Sequence, residues 1–408
     1  MTVLQALVDQ ALETPNATAI QFENEVWSYE ELLNNSRKIA GYLIEKGFQK
    51  DDIVAEFALN SHLFMAVYYG VQLAGLTVMP VNTKLAPPEV DFIFKHSEAK
   101  ILIYDEKLQA TIDLTTHGFQ EILALSKIKE IINGSSASPA LPQLDREDTS
   151  VVMYTSGTTG KPKGVMLSHR NILETAQIWS DSMNMTNEDR MFICTPLFHC
   201  AGSHVFAVPT IYKGGAVLIE EAFSPDQTLK NLVETKATIF FGVPAMYTIL
   251  LNKPELQSYD FSQLRLFCYG AAPMPYELVK RLKDTFPNVN VQNLYGQTEN
   301  TPAASSLLDD AALFKIGSVG KPLARTEIQL RDANGEIVPL GEVGEICVKG
   351  PQVMKGYLRA PEETAKSIQD GWLYTGDLGR FDEEGYLYIV DRKKDMIIRG
   401  GENIYPIE

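Results

Sequence analysis

Apolar and polar residues follow strand-like and helix-like patterns in turn along the first two thirds of the chain. Short apolar runs such as 53–57 and 101–104 predict buried strands, while segment 32–45 carries apolar residues at helical spacing. Ser28, followed by two glutamates, marks the start of that helix. Strands that alternate with helices usually form parallel sheets covered by helices. We therefore expect an α/β fold over this part of the chain.

The pattern changes after about residue 315. Segments 327–330, 343–348 and 386–390 are short apolar alternations, and turns such as 332–335 and 382–385 separate them. Short strands joined by tight turns favour antiparallel pairing. We expect a smaller, mostly antiparallel and barrel-like β unit here.

These patterns predict one large domain followed by a short terminal segment. A stretch rich in Gly, Ser, Pro and acidic residues at 134–148 is typical of a linker between two α/β regions. The predicted units are two α/β lobes at about 1–140 and 150–314, a β unit at 315–393 that completes a large domain 1–393, and the segment 394–408.

Length and composition narrow the class of protein. A chain of 408 residues is long for a single core, and 45% hydrophobic with 22% charged residues is ordinary for a globular protein. No apolar run reaches the roughly 18 residues that a membrane span requires. The N-terminus carries an acid and no basic cluster, so we expect no secretory signal and a cytoplasmic location.

Charge and cysteine content exclude further classes. A formal net charge of -16 argues against non-specific binding to nucleic acid. A homodimer is compatible with this composition. The cysteines are widely spaced without a CxxC pair, which predicts buried free thiols rather than disulfides or zinc ligands. They are Cys194, Cys200, Cys268 and Cys347.

The run at 155–164, Thr-Ser-Gly-Thr-Thr-Gly-Lys-Pro-Lys-Gly, carries the strongest sign of chemistry. It follows an apolar strand-like run at 151–154. Its glycines let the backbone approach a ligand, and its hydroxyls and two lysines supply donors and positive charge. The residue after Gly160-Lys161 is Pro162, which excludes the P-loop of common NTPases. The run predicts a loop that holds a polyphosphate.

This run resembles the phosphate-binding signature of the adenylate-forming superfamily, which includes acyl-CoA synthetases, peptide-synthetase adenylation domains and beetle luciferases. Further segments are similar to its motifs and occur in the same order, from Thr155 to the end of the chain. They are Gly270-Ala271-Ala272-Pro273 for adenine, Tyr295-Gly296-Gln297-Thr298-Glu299, Tyr374-Thr375-Gly376-Asp377 for ribose, and the hinge Asp391-Arg392-Lys393-Lys394-Asp395.

The resemblance is strongest to fatty acyl-CoA synthetases, through 391–398 and 399–406. It implies an AMP-forming acid–thiol ligase that uses ATP, Mg²⁺ and coenzyme A. In the superfamily a small C-terminal domain with a catalytic lysine follows this point. We therefore expect the large N-terminal domain with a hinge stub, lacking that small domain and weakened in turnover.

The resemblance also implies a role for each matching residue. The ATP-binding set is Thr155, Ser156, Gly157, Thr158, Thr159, Gly160 and Lys161 at the β- and γ-phosphates, Gly270, Ala271, Ala272, Tyr295 and Gly296 at adenine, Asp377 and Arg392 at ribose, and Thr298 at the α-phosphate. The catalytic set is His199 near the substrate carboxylate, Thr298, Glu299 as the Mg²⁺ ligand, and Lys394 at the hinge.

The residues between His199 and Glu299 suggest an apolar acid as substrate. No acid occurs at 240–247 to pair with an α-amine, which disfavours an amino acid. The first hypothesis is a fatty or similar apolar acid. A second is an aryl-acid ligase such as o-succinylbenzoate-CoA synthetase, for which His204 is the evident basic group. A third is a nucleotide-binding module with little turnover. The pocket candidates are Ser203, His204, Phe206, Phe241, Gly242, Val243, Met246, Gln297 and Ala303.

Overall fold

The computed structural model describes residues 2–113, 118–134, 140–155 and 161–392, and the strands at 397–399 and 402–404. Several predicted site residues lie outside these ranges, namely Ser156, Gly157, Thr158, Thr159, Gly160 and Lys394. Over the described part of the chain, no helix combines the length and apolar character needed to cross a membrane.

The helix predicted to start after Ser28 is observed as Tyr29–Glu45. The Ser28 hydroxyl accepts from the Glu31 N–H, and the Glu31 carboxylate accepts from the Ser28 N–H, so this pair caps the second helix as predicted. The helices are α1 (Val3–Glu13), α2 (Tyr29–Glu45), α3 (His62–Leu73), α4 (Pro87–Ser97), α5 (Leu125–Asn133), α6 (His169–Ser182), α7 (Val208–Lys213), α8 (Pro225–Glu234), α9 (Pro244–Leu251), α10 (Tyr276–Thr285) and α11 (Pro361–Ser367), with a π-helical segment at Ala201–Ala207.

Up to β13 most strands are separated by helices, apart from hairpins such as β1–β2 and β7–β8, and after β13 the strands are interrupted by a single α-helix, α11, in the described part of the chain. In chain order they are β1 (Thr18–Phe22), β2 (Glu25–Ser28), β3 (Ile53–Phe57), β4 (Thr77–Pro80), β5 (Ile101–Tyr104), β6 (Glu121–Ala124), β7 (Thr149–Thr155), β8 (Lys163–Ser168), β9 (Arg190–Ile193), β10 (Ala216–Ile219), β11 (Ile239–Phe241), β12 (Leu266–Gly270), β13 (Asn290–Tyr295), β14 (Ser305–Leu307), β15 (Ser318–Pro322), β16 (Glu327–Arg331), β17 (Gly344–Lys349), β18 (Gly356–Tyr357), β19 (Ile368–Gln369), β20 (Trp372–Phe381), β21 (Leu387–Arg392), β22 (Ile397–Arg399) and β23 (Glu402–Ile404).

The first sheet has the strand order β18-β8-β7-β4-β3-β5-β6. Its centre is parallel, whereas β7 and β8 form an antiparallel hairpin to which β18 adds an antiparallel edge. This hairpin flanks the predicted phosphate loop. The register joins Tyr154 to Gly164 and Thr155 to Lys163, so the two ends of that loop lie side by side.

The second sheet has a parallel part formed by β12, β11, β9, β10 and β1, extended by β13. Beyond β13 it continues through β14 and β15 into the antiparallel strands β21, β20, β17 and β16. The predictions of parallel sheets covered by helices and of an antiparallel region are confirmed. The antiparallel region, however, continues the second sheet rather than standing apart from it.

Sheet membership does not follow the chain segments predicted for the two lobes. The hairpin β1–β2 belongs to the second sheet, and β7 and β8, which follow the linker-like segment, belong to the first. Parallel strands pair across long chain separations, so local patterns cannot fix which sheet a strand joins. The predicted boundaries of the units remain predictions.

Helix α3 joins the two sheets through one apolar core. All its residues are buried, and they pack in a cluster that includes side chains from both sheets. Just before it, buried Asn60 donates to the backbone oxygens of Thr195 and Glu220 and accepts from the Leu197 N–H at 2.7 Å. Asn60 therefore fixes the segment that leads from β9 to His199.

The cysteine prediction is confirmed over the described residues. Cys194, Cys200, Cys268 and Cys347 are buried, and none of them forms a disulfide in the described part of the chain.

Candidate active site

The predicted site segments meet at one edge of the second sheet. Strands β9, β11, β12 and β13 run parallel, so their carboxyl ends lie along the same edge. The segments that follow three of them carry His199, the turn at Gly270, and the run from Tyr295 to Glu299. Open α/β sheets bind their ligands at this edge.

The turn after β12 brings its backbone against the neighbouring strand. A Cβ at Gly270 would lie 2.5 Å from the Leu294 carbonyl oxygen, and one at Gly296 would lie 2.4 Å from the Pro302 carbonyl. Both positions therefore require glycine. Ala271 has φ of 63°, a left-handed conformation that costs a residue with a side chain about 1 kcal/mol. Such strain is often found where a ligand is bound.

The predicted ribose-binding residues lie together. The Tyr295 hydroxyl donates to Asp377 Oδ2 at 2.8 Å, and Gln297 Nε2 donates to the same oxygen at 2.6 Å. Arg392 lies opposite Asp377 in the strand register, with its Nε 3.5 Å from Oδ1. Oδ2 is thus well supplied with donors, whereas Oδ1 has acceptor capacity left for a hydroxyl.

The ionisation of Tyr295 supports this arrangement. Burial, followed by the charge of Asp377, raises the pKa of the Tyr295 phenol well above its usual range. The phenol therefore stays protonated and can only donate to the carboxylate. Gln297 is held in turn by Asn300, which donates to its amide oxygen at 2.6 Å. The carboxylate thus has a fixed orientation before any ligand arrives.

Glu299 is held by a residue from another part of the chain. The Tyr357 hydroxyl donates to Glu299 Oε1 at 3.0 Å. Lys163 Nζ lies 5.0 Å from the centre of the Tyr357 ring and 2.8 Å from Glu363 Oε2. Burial raises the pKa of Glu299, and the Tyr357 hydroxyl and Lys163 oppose that rise. A nearby cation would favour the ionised carboxylate.

His199 and Thr298 are connected through a thiol. Cys200 Sγ lies 3.3 Å from Thr298 Oγ1 and 3.8 Å from His199 Nδ1. The Ala201 N–H donates to the same Nδ1 at 3.2 Å. Nδ1 is therefore the acceptor in this geometry, and the ring proton lies on Nε2. The charge of Cys200 and its contact with the ring raise the pKa of His199 to about 8, and the Nε2–H, which the neutral and the cationic ring both carry, can orient a carboxylate.

The remaining predicted residues fall at the phosphate hairpin. Thr155 ends β7, and Lys161 is exposed just before β8. The structure places them at the two stems of the loop and brings neither into contact with Glu299. Lys163, which the sequence offered only as extra positive charge, is the lysine that reaches the Glu299 side.

His204 cannot supply the positive charge that a second substrate carboxylate would need. It is fully buried, its Nε2 lies 2.9 Å from the Tyr68 hydroxyl, and burial lowers its pKa to about 3. The imidazole is therefore neutral at physiological pH, so His204 does not supply the basic group that the second hypothesis would need. Nearby, the rings of Phe206 and Phe241 pack at 4.7 Å, consistent with apolar surroundings.

Three residues of the site were missed or underrated by the sequence reasoning. Tyr357 lies in a strand of two residues, too short for any periodicity to mark it. Glu363 lies in the first turn of α11. Acidic residues are common there because they interact favourably with the helix dipole, so nothing in the sequence indicated a role in the site. Cys200 was predicted to be a small buried apolar residue. Its contact with Thr298 was not predictable, because the two residues are 98 positions apart in the chain.

The donor set around Glu299 suits a cation that takes most ligands from elsewhere. Among the described residues, no group of three or more His, Cys, Asp or Glu is arranged to hold a metal. Mg²⁺ commonly binds through one or two carboxylates together with substrate phosphates and water. A half-buried carboxylate near the β7–β8 hairpin fits that mode.

Comparison with known proteins agrees with this geometry. The profile of the AMP-binding enzyme family matches residues 7–358. A feruloyl-CoA synthase from an Amycolatopsis species is 36% identical over 98% of this chain and 80% of its own length. The structure of a Mycobacterium tuberculosis fatty acyl CoA synthetase matches with a TM-score of 0.92 at 31% identity, over 99% of this chain and 81% of that one.

A further match is to a protein solved with ligands. The o-succinylbenzoate coenzyme A synthetase of Bacillus subtilis, in complex with ATP and magnesium ion, matches with a TM-score of 0.90 at 31% identity. The match covers 98% of this chain and 82% of that one.

Proposed function

Because the chain belongs to the AMP-binding enzyme family, we propose that it is an ATP-dependent, AMP-forming ligase that joins a carboxylic acid to coenzyme A. The observation that carries this proposal is the set formed by Tyr295, Asp377 and Glu299 at the carboxyl edge of the second sheet. Asp377 contacts Tyr295 at one end of the segment 295–299, and Glu299 lies at its other end. We assign the first carboxylate to the ribose hydroxyls and the second to Mg²⁺, the two groups that a metal-bound nucleoside triphosphate presents.

The first chemical step requires positioning more than proton transfer. A substrate carboxylate oxygen attacks the α-phosphorus of ATP, the bond to the bridging oxygen of pyrophosphate breaks, and an acyl-adenylate results. No proton moves, so the protein's task is to align the groups and neutralise charge. We assign the α-phosphate to the Thr298 hydroxyl and the acid to the Nε2–H of His199.

The nucleotide is held by groups on both sides of the site. We assign adenine to the turn Gly270-Ala271-Ala272 and to the segment Tyr295-Gly296, and the ribose hydroxyls to Asp377 with Arg392. The β- and γ-phosphates are assigned to the hairpin loop 156–160, with Thr155 and Lys161 at its stems. Mg²⁺, held at Glu299, supplies charge neutralisation for the phosphates when bound.

The second step is transfer of the acyl group to a thiol. The coenzyme A thiol loses its proton to solvent, and its sulfur forms a bond to the acyl carbonyl carbon. The bond from that carbon to the phosphate oxygen breaks, and AMP leaves with the electron pair. We propose Lys394 as the pivot for a rearrangement between the two steps. This residue lies outside the described part of the chain, and the proposal for it rests on the resemblance of 391–395 alone.

An apolar acid is the substrate class that the described residues support best. Phe206 and Phe241 pack against each other with ring centres 4.7 Å apart, and His204 is neutral. A fatty acid or another acid with an apolar tail can be buried there without an unpaired charge. A tail with a second carboxylate would require a cation that His204 cannot provide.

An aryl acid is the second candidate. The relative that is 36% identical is, by its name, a feruloyl-CoA synthase, and feruloyl is an aromatic acyl group whose parent acid has a single carboxylate. Such an acid also avoids an unpaired charge in the pocket. The two candidates differ in the shape of the tail, since a flexible alkyl chain and a flat ring fill different cavities.

Calorimetric titration with stable acyl-adenylate analogues tests the proposal. Analogues with alkyl tails of increasing length and with a cinnamoyl tail are compared with AMP. Tighter binding of an alkyl analogue than of AMP supports the fatty acid, and preference for the cinnamoyl analogue supports the aryl acid. Failure of the protein to bind AMP, ATP or any adenylate would contradict the proposed function as a whole.

A further inference from the structure

Tyr357 contacts both charged groups that the proposed reaction needs beside the phosphates. Its hydroxyl donates to Glu299 Oε1 at 3.0 Å, and its ring faces Lys163 Nζ at 5.0 Å. An ammonium at this distance from an aromatic face is attracted by the ring. One side chain therefore lies between the carboxylate and the lysine and contacts each through a different part.

The backbone around Tyr357 is tied to the same two elements. The Met354 N–H donates to the Glu299 carbonyl oxygen at 2.9 Å, and the Leu358 N–H donates to the Gly164 carbonyl oxygen at 2.7 Å. Tyr357 itself pairs with Val165 across β18 and β8. The short segment 354–358 thus bridges the phosphate hairpin and the backbone of Glu299.

The start of α11 fixes the other side of Tyr357. The Thr364 hydroxyl accepts from the Tyr357 N–H at 2.8 Å. Glu363 on that helix forms an ion pair with Lys163 at 2.8 Å. Strand pairing on one side and Thr364 of α11 on the other hold the backbone of Tyr357, and its side chain is buried, so the position from which its hydroxyl reaches Glu299 is fixed.

We propose that Tyr357 is a positioning residue that orients the Glu299 carboxylate for Mg²⁺ and aligns Lys163 beside it. The inference rests on the proposed function. A hydrogen bond to Oε1 leaves Oε2 to face a cation and prevents the carboxylate from rotating. Groups that orient a metal ligand in this way typically change metal affinity by about 10- to 100-fold when they are removed.

Tyr357→Phe removes the hydroxyl and leaves the ring, the strand pairing and the Thr364 contact. ATP binding is measured by calorimetry over a series of Mg²⁺ concentrations, and AMP binding is measured in EDTA. We expect the Mg²⁺ concentration for half-maximal enhancement of ATP binding to rise about tenfold. AMP affinity should stay within twofold, because AMP binding uses the Asp377 side of the site.

Tyr42→Phe is a matched control. The Tyr42 hydroxyl also donates to a glutamate, Glu121 Oε1 at 2.7 Å, but this pair lies on α2 and β6 of the first sheet. The control should leave both ATP and AMP binding unchanged. Thermal unfolding of both variants verifies that each is folded before binding is compared.

A double-mutant cycle separates positioning from a general structural effect. If Tyr357 acts through Glu299, Tyr357→Phe should have no further effect on Mg²⁺ dependence in the Glu299→Gln background. Additive losses, an unchanged Mg²⁺ dependence in the single variant, or an equal loss of AMP affinity would each overturn the proposal. Absence of any Mg²⁺-enhanced ATP binding in the wild-type protein would instead remove the metal assignment of Glu299 on which it rests.

Discussion

Two glutamates whose pKa is raised by burial occupy different kinds of position in this molecule. Glu56 lies within β3 in the first sheet, is 0% exposed, and has no hydrogen-bond partner for either carboxyl oxygen among the described residues. Glu299 follows β13 at the carboxyl edge of the second sheet, where Tyr357 donates to it. Burial raises the pKa of both, that of Glu56 well above its usual range.

The difference shows that a buried acid with a raised pKa does not by itself identify a site. The neutral form of Glu56 is favoured in the folded protein, because none of the described residues donates a hydrogen bond to its carboxylate. Glu299 accepts a hydrogen bond on one oxygen and has Lys163 close by, and both groups favour the ionised carboxylate. An ionised carboxylate can bind a cation. Partners from several chain segments, arranged around an open position, distinguish the edge of the second sheet from the centre of the first.

The largest expected effect is at the edge, on nucleotide binding. Asp377→Ala should weaken AMP and ATP binding alike by about 100-fold, or about 2.7 kcal/mol, because charge-assisted hydrogen bonds to the ribose are lost. Calorimetric titration with AMP measures this. Asp332→Ala, in an exposed turn of the antiparallel region, is the control and should bind AMP as the wild type does. Equal AMP affinity in Asp377→Ala would exclude Asp377 as the ribose ligand.

The sequence alone predicted the members of this edge cluster but not its construction. Tyr295, Asp377 and Arg392 were identified from short motifs, and the register of β20 and β21 indeed sets the last two opposite each other. Motifs name residues that contact a ligand. They do not name Gln297 as the second donor to Asp377, because that contact depends on a side chain bridging two strands 80 positions apart.

For the fold, too, local elements could be predicted from the sequence but the way they assemble could not. Periodicity and a capping pair located α2 and most strands within one or two residues, because these signals are local. Sheet order was not predictable, since β18 joins β8 across nearly two hundred residues through only two positions. That one pairing brings Tyr357 to Glu299, so the residue that completes the site was also the least visible in the sequence.

The next largest effect is expected at the centre of the first sheet, on stability. A carboxyl whose pKa is raised by folding keeps its proton while the unfolded chain releases it, so wild-type stability falls as pH rises above about 4.3. Glu56→Gln removes this titration. Its free energy of unfolding relative to the wild type should therefore rise with pH by up to about 1.4 kcal/mol per unit. Urea unfolding at pH 5 and pH 7 measures the difference.

Glu13→Gln provides the comparison for Glu56, because Glu13 is an exposed glutamate at the end of α1. Its difference from the wild type should not change appreciably between the two pH values. AMP binding should be unchanged in both variants at either pH. If Glu56→Gln and the wild type show parallel pH dependence, Glu56 does not hold a proton in the folded state.

A smaller effect is expected for Glu299→Gln. The amide keeps the shape and can still accept from Tyr357, but it offers no charge to a hard cation. The Mg²⁺ concentration needed to support ATP binding should rise about tenfold, while AMP binding in EDTA should hardly change. Titration of ATP against a Mg²⁺ series measures this. An unchanged Mg²⁺ requirement would contradict the assignment of Glu299 as the Mg²⁺ ligand. Glu299 would then be, like Glu56, a carboxyl group with a raised pKa and no role in metal binding.

The smallest effect concerns backbone strain at the edge. Ala271 has φ of 63°, whereas Ala272 is not among the residues with positive φ. Ala271→Gly should raise the free energy of unfolding by about 0.5–1 kcal/mol through relief of left-handed strain, and Ala272→Gly should lower it by a similar amount through added freedom of the unfolded chain. Thermal unfolding of the two variants gives opposite signs if the strain is real. If both substitutions destabilise the protein, the turn at 270–273 is held without strain. The carboxyl edge of the second sheet would then differ from the centre of the first sheet only in its polar partners.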